Sequence, residues 1–456
     1  MSSLISTASP VNVAAASVNK PSFKEAFYFW LKLGFISFGG PAGQIGIMHT
    51  FLVDQKKWIS DRKFLHALNY CMLLPGPEAQ QLAIYIGWLL HGTIGGIVAG
   101  SLFVLPSVFI LLGLSSIYVI FGKIAWVAAL FYGLKPAVVA IVILALIKIG
   151  KKSLLSVFHV LVALASFIGI FFLDIPFPLI ILSAMLVGWL AKNFYPAVFQ
   201  ESKSASEIAE NEQAYYLNME TEVPGTGFHL GRLVKQISVI VLLWVAPYVI
   251  FNISQGAPFW EKLIAFFTKA AFVTVGGAYA VLPYVAQVAV EDFNWLSKLE
   301  MIDGLALGET TPGPLIMVLT FVGFMAGYHY YEGSVLMGAL GLVTTTYYTF
   351  LPCFLFILAG APIIEKTQSN KSIKAILSVV TAAVVGVVLN LTVYFAQAVV
   401  FPEQLTPAGI DYFSLAWIII SFVAMYRFKI GMISWIGISA LAGLVHYFIF
   451  LETPNI

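Results

Sequence analysis

Phe38-Gly39-Gly40-Pro41, Trp58-Ile59-Ser60 and Leu74-Pro75-Gly76-Pro77 follow one another in the first half of the chain. Val275-Gly276-Gly277, Trp295-Leu296-Ser297 and Thr311-Pro312-Gly313-Pro314 follow in the same order in the second half. Matched positions are displaced by 237 residues, and Phe29 with Phe266 and Lys32 with Lys269 share that offset. After a nine-residue excess the match resumes at 246, pairing Pro106 with Pro352 and Ala137-Val138-Val139 with Ala383-Val384-Val385. So many Gly, Pro, Trp and Ser identities on one offset mark an internal duplication.

The 456 residues are 60% hydrophobic and only 10% charged, with mean hydropathy +0.92. A soluble surface needs about 25% charge. Apolar runs of bilayer length, about 20 residues, recur throughout, so the chain reads as an all-α polytopic membrane protein. Cys71 and Cys353 lie within apolar segments, without metal or disulfide spacing, and read as core residues. Residues 1–21 read as a disordered tail, 22–195 as the first repeat and 196–228 as an acidic soluble linker. A connecting transmembrane helix over 229–252, a second repeat over 253–450 and a tail over 451–456 complete the order.

Gly-Gly(-Pro) and Pro-Gly-Pro split the first two segments of each copy into pieces of about 13–15 residues, about 20 Å long at 1.5 Å per residue and too short for a hydrocarbon core of about 30 Å. Breaks of this kind free backbone groups that lipid cannot satisfy. Each segment is therefore either one long broken helix or a re-entrant hairpin. If all four turn back, the cluster Lys56, Lys57, Arg62 and Lys63 joins Lys20, Lys24, Lys148, Lys151, Lys152, Lys366, Lys371, Lys374, Arg427 and Lys429 on the inner side. Its acidic counterpart, Glu291, Asp292 and Glu300, then falls outside. Charge placement favours the re-entrant form. Either way, the count of crossings sets the two repeats in inverted topology, with the N-terminus cytoplasmic.

Inverted copies with broken helices are the architecture of secondary transporters. Each restart exposes free N–H groups and a positive dipole end suited to an anion. Gly39, Gly40, Pro75, Gly76, Gly276, Gly277 and Gly313 build the breaks, and small residues there also fit plain helix packing. Lys32 and Lys269, costly within apolar segments, are candidate cations for the anion, with snorkelling as the bland alternative. Gln44, Gln80, Gln81, Thr310 and Thr311 add neutral donors. Glu78 and Glu309 flank the Pro-Gly-Pro motifs and either cap helices or carry a coupling proton. Lys24, Lys123 and Lys135 are expected to snorkel, and Asp303 to lie near the outer interface. Tyr85, Trp88 and His91 are expected in an interfacial belt, and Trp58 and Trp295 as interfacial anchors beside cap serines.

Phe38-Gly39-Gly40-Pro41, Leu74-Pro75-Gly76-Pro77-Glu78-Ala79-Gln80-Gln81, Ile84-Tyr85-Ile86-Gly87-Trp88 and Glu309-Thr310-Thr311-Pro312-Gly313-Pro314 resemble the motifs of the chromate ion transporter family, in its long two-domain form, over about residues 22–450. The resemblance implies a bacterial inner-membrane transporter that moves chromate, usually outwards to confer resistance, with sulfate as the similar dianion. It implies no cofactor, metal or nucleic acid; the bilayer is the expected surrounding, and a homodimer is compatible with it. An intramembrane phosphatase resembling undecaprenyl pyrophosphate phosphatase would need Arg and a nucleophile gathered at the site. Only Arg62, Arg232 and Arg427 exist, all at segment ends. A channel is a third class, which the charged groups at the breaks disfavour.

Overall fold

The computed structural model describes residues 19–38, 40–194, 212–221, 227–255, 257–275, 277–364, 371–402 and 404–450. Both tails as predicted, the linker stretches 195–211 and 222–226, and Gly39 and Gly276 lie outside them or nearly so. In chain order the helices are α1 (Phe23–Ile36), α2 (Gly40–His49), α3 (Asp61–Cys71), α4 (Glu78–Phe121), α5 (Ala125–Ser153), α6 (Val157–Leu173), α7 (Phe177–Phe194) and α8 (Leu230–Gln255). Then come α9 (Ala257–Val273), α10 (Ala278–Ala286), α11 (Lys298–Thr310), α12 (Val318–Tyr330), α13 (Val335–Ile364), α14 (Lys371–Val400), α15 (Tyr412–Tyr426) and α16 (Met432–Phe450). Seven described helices are long and apolar enough to cross a membrane, and α8 buries none of its most apolar window. Large apolar side chains stay exposed along α6, α7, α8, α15 and α16, as a lipid-facing surface requires. This is a multi-pass membrane protein.

All four broken segments fold back on themselves. Phe29 of α1 stacks at 4.0 Å on Phe51, beyond the end of α2. Phe266 of α9 meets Phe293 at 5.7 Å, past α10. Tyr70 of α3 reaches Tyr85 at 5.7 Å, a contact that a straight helix fifteen residues long could not make. Gly304 and Gly308 of α11 lie against Phe321 and Val318 of α12. One long broken helix is thereby excluded for these segments.

Helix α4 folds back too. His91 and Gly92 leave the helical region (Gly92 φ 64°), and the arm 78–90 packs antiparallel on 93–121, with Gly87 against Gly95 and Ile84 against Gly96 and Gly100. In the second copy α12 and α13 form the matching hairpin, with Gly323 against Gly341 and Gly327 against Met337. The nine-residue excess falls between these pairs and lengthens the second hairpin.

Ser60 caps α3 by accepting from the Lys63 N–H, and Ser297 with Glu300 forms a capping box on α11. The tryptophans beside them correct the expectation of interfacial anchors. Trp58 and Trp295 are 3% and 6% exposed, packed edge-on against Phe29 and Phe266. Tyr85 and Trp88 are likewise buried, because the folded-back arm sits inside the protein rather than at a boundary.

The halves interlock. α5 packs along α14; α6 and α7 of the first half pack on α14 of the second, while α15 and α16 of the second pack on α5 of the first. Gly188 of α7 abuts Ile376, and its counterpart Gly443 of α16 abuts Gly133. The linker is not wholly free. Residues 212–221 form a strap whose Leu217 bridges to Ile59, with Leu217 N–H donating to Trp58 O at 3.0 Å and Ser60 N–H to Leu217 O at 2.8 Å.

Candidate functional site

The breaks meet at the centre through reciprocal contacts. Gly76 N–H, in the first Pro-Gly-Pro, donates to Thr274 O at 2.7 Å, just ahead of the second copy's Gly-Gly. Gly313 N–H, in the second Pro-Gly-Pro, donates to Ser37 O at 2.8 Å, just ahead of the first. Gly76 and Gly313 are equivalent, as are Ser37 and Thr274, so each copy gives the other the same bond. Matched residues of the two halves thus exchange the same backbone bond. A second exchange accompanies it. A Cβ on Gly76 would stand 2.8 Å from Cys353 Sγ, and one on Gly313 would collide with Ser107 Oγ, the matched position in the other copy. Both glycines hold positive φ, +117° and +99°, a region that disfavours side chains. A strained turn that must also admit a neighbour fixes Gly at both places.

Neutral donors frame this junction. Gln44 of α2 donates to Gly313 O at 2.5 Å and Ser37 O at 3.3 Å, and Gln81 donates to Pro75 O at 2.5 Å. Gln80, fully buried, has neither its amide nitrogen nor its oxygen hydrogen-bonded, and the side-chain oxygens of Gln44 and Gln81 are also unbonded. Buried polar atoms rarely stay unpartnered. Three glutamines left with spare capacity in the first turns after breaks suit a small polar ligand. Thr310 and Thr311, by contrast, turn their hydroxyls back to Leu307 O at 2.9 and 2.7 Å, so those protons are committed to their own helix.

The carboxylates gather on one side of the junction. Glu78 begins the arm 78–90, and a Cβ at Gly277 would lie 3.3 Å from its carboxylate. Glu309, 4% exposed, accepts a 2.5 Å hydrogen bond from Tyr279 OH in the first turn of α10. Both acids therefore reach the start of α10, one from each copy. Met72 and Leu315 occupy the equivalent positions, so the start of α2 has no such pair.

The lysines behave otherwise. Lys32 and Lys269 are exposed, because Phe29, Trp30 and Leu33 on α1, and Phe266, Phe267 and Ala270 on α9, take the buried faces. Neither makes an ion pair among the described residues, so the structure does not bring them to the breaks. Lys24 and Lys123 are exposed. Lys135 is not. It is buried and stands 3.7 Å from Asp303 Oδ2, which also accepts from Tyr118 OH at 2.9 Å. Asp303 is therefore internal rather than interfacial. Sequence reasoning missed this cluster; the one signal was a lysine beside Pro136 in the middle of a long apolar run. Cys71 and Cys353 are buried thiols, and no group of three metal-ligating side chains exists among the described residues.

A family model described as chromate transporter matches residues 24–189 and 261–444. A chromate transport protein of Pseudomonas aeruginosa is 29% identical over 430 residues, covering 92% of each chain. One from Cupriavidus metallidurans is 28% identical over 397 residues, 85% of this chain and 87% of that one. An uncharacterized transporter of Bacillus subtilis is 30% identical over 161 residues, 35% of this chain but 82% of its own. No solved structure matches the chain.

Proposed function

The chain belongs to the chromate transporter family, and on that premise we propose that it is a secondary transporter of a tetrahedral oxyanion, chromate first and sulfate as its analogue. It works by alternating access between two copies inverted across a bacterial inner membrane, with the N-terminus cytoplasmic. The observation that carries this reading is the reciprocal bond of Gly76 to Thr274 and Gly313 to Ser37, which ties four helix restarts into one two-fold junction. Four crossings in the first half plus α8 make an odd number before the second, which supports inversion.

The anion is held by the N–H groups at the restarts and the spare amide donor of Gln80, while Gln44 and Gln81 spend their amide N–H groups bracing the breaks. Lys32 and Lys269, exposed about two turns away, raise its local concentration on approach. Glu78 and Glu309 oppose an anion at the start of α10 while charged, and admit it when protonated. Substrate and proton are in that way linked. A negative-inside potential favours export of a dianion by about 2.3 kcal/mol per charge per 100 mV. The relatives are named transport proteins, which favours transport over catalysis.

Uptake of labelled chromate into everted membrane vesicles tests this. The expected result is saturable uptake suppressed by sulfate, with its pH dependence weakened in Glu309→Gln, whose neutral amide stands in for the protonated acid and still accepts from Tyr279. Absence of chromate and sulfate flux from folded protein would remove the substrate assignment.

A further inference from the structure

Transport by the junction alone leaves unused the buried cluster formed by Lys135, Asp303 and Tyr118. It joins the copies: Lys135 (α5) and Tyr118 (α4) come from the first, Asp303 (α11) from the second. Lys135 and Asp303 are 6% and 2% exposed. Asp303 Oδ2 takes both contacts, while Oδ1 is buried with no hydrogen bond. A half-satisfied buried carboxylate is poor evidence for stability and a better one for a switch.

The cluster is also one-sided. The positions matched to Asp303 and Lys135 are His66 and Thr381, so the other half cannot form this ion pair. Packing follows the same asymmetry. α11 packs along α5 and α10 along α14, whereas their counterparts α3 and α2 make no comparable contact with α14 and α5. α10 is almost wholly buried; α2 buries only Gln44 and Met48. One side of the two-fold junction is shut and carries the ion pair; the other is looser and lacks it.

We propose that Asp303 is a proton-accepting latch that holds the α5–α11 side closed through Lys135 and releases it when protonated. The step moves one proton from bulk water onto a carboxylate oxygen of Asp303; Lys135 stays an ammonium and loses its counter-charge. Separating the charged pair would leave two uncompensated charges, so the side opens only with Asp303 neutral. The other groups bearing on Asp303 are Tyr118 of α4 and Glu300 on its own helix, the latter paired with His329 of α12 at 3.0 Å. On α14, Tyr394 lies under Lys298, and on α16 His446 packs on Tyr132 and Phe413. Lys135 is therefore the one cation in contact with Asp303 among the described residues, and the latch has a single counter-charge to lose.

The inference rests on the two-copy transporter reading, and its test separates the two. Spin labels on Lys123→Cys and Lys298→Cys, with the buried native cysteines left in place, report the gap between the starts of α5 and α11 in nanodiscs. The native separation should lengthen on acidification. In Asp303→Asn and Lys135→Met that response should be lost, while Tyr118→Phe, which keeps the ion pair, should retain it. A native separation indifferent to pH, or a response unchanged in Asp303→Asn, would overturn the latch. The spin-label distance is read without any substrate, so a chain that moved no oxyanion would still support or overturn the latch.

Discussion

Gly313 turns at φ +99° with Ser107 Oγ where its side chain would be, and Gly76 repeats the arrangement against Cys353. Gly313→Ala should cost about 1–3 kcal/mol through the strained backbone, with the steric clash in addition. Ser107→Ala removes the oxygen in the way, so the double variant should be more stable than the sum of the single losses predicts. Thermal unfolding followed by tryptophan fluorescence in detergent measures all three; strictly additive losses would mean that the two residues do not share the space. These glycines were legible as breaks in the sequence. Their partners were not, because Ser107 and Cys353 sit in ordinary apolar helix and gain meaning only from the other copy. Lys135 was misjudged for a related reason: snorkelling is the rule for a lone lysine, and its carboxylate lies 168 positions further on.

At the scale of the element, punctuation located the breaks and charge placement chose their form. Gly-Gly and Pro-Gly-Pro marked the breaks, charge placement favoured the hairpin over one long broken helix, and the boundary between the apolar segments ending at 90 and starting at 92 coincides with the reversal at His91 and Gly92. The mouth of the α11–α12 hairpin has a titratable clasp. Burial alone would push the Glu300 carboxyl up, but His329 and the Ser297 N–H outweigh it and hold the group below its ordinary value. A carboxyl depressed in the folded state contributes stability above its unfolded value, about 4.3, and loses it as pH falls through the folded one. Glu300→Ala should therefore lower stability by about 1 kcal/mol near neutrality and have no effect at sufficiently acid pH. Equal losses at both pH values would assign the effect to packing instead.

In the whole molecule the strap 212–221 ties the inter-copy connection to the loop between the first two hairpins. Leu217 is 2% exposed, Lys57 Nζ stands 4.7 Å over the Tyr215 ring, and Arg62 lies 4.0 Å from Glu212. Leu217→Asp should undock it, since burying an unpaired carboxylate costs more than the about 2–5 kcal/mol of a leucine truncation. Limited proteolysis should then cut within 212–221 at least several times faster than in the native chain. An unchanged cleavage rate would mean that the strap is held elsewhere.

The crossed packing of the outer helices also has a consequence in time. α6 and α7 rest on α14, which the ribosome delivers about 180 residues later. At roughly 5–20 residues per second that is a wait of about 10–35 s. For that interval the first half sits in the bilayer with its partner surface bare, complete in sequence and unfinished in structure. The newborn protein is most vulnerable then, and any membrane chaperone that attends this chain would find its task in that window.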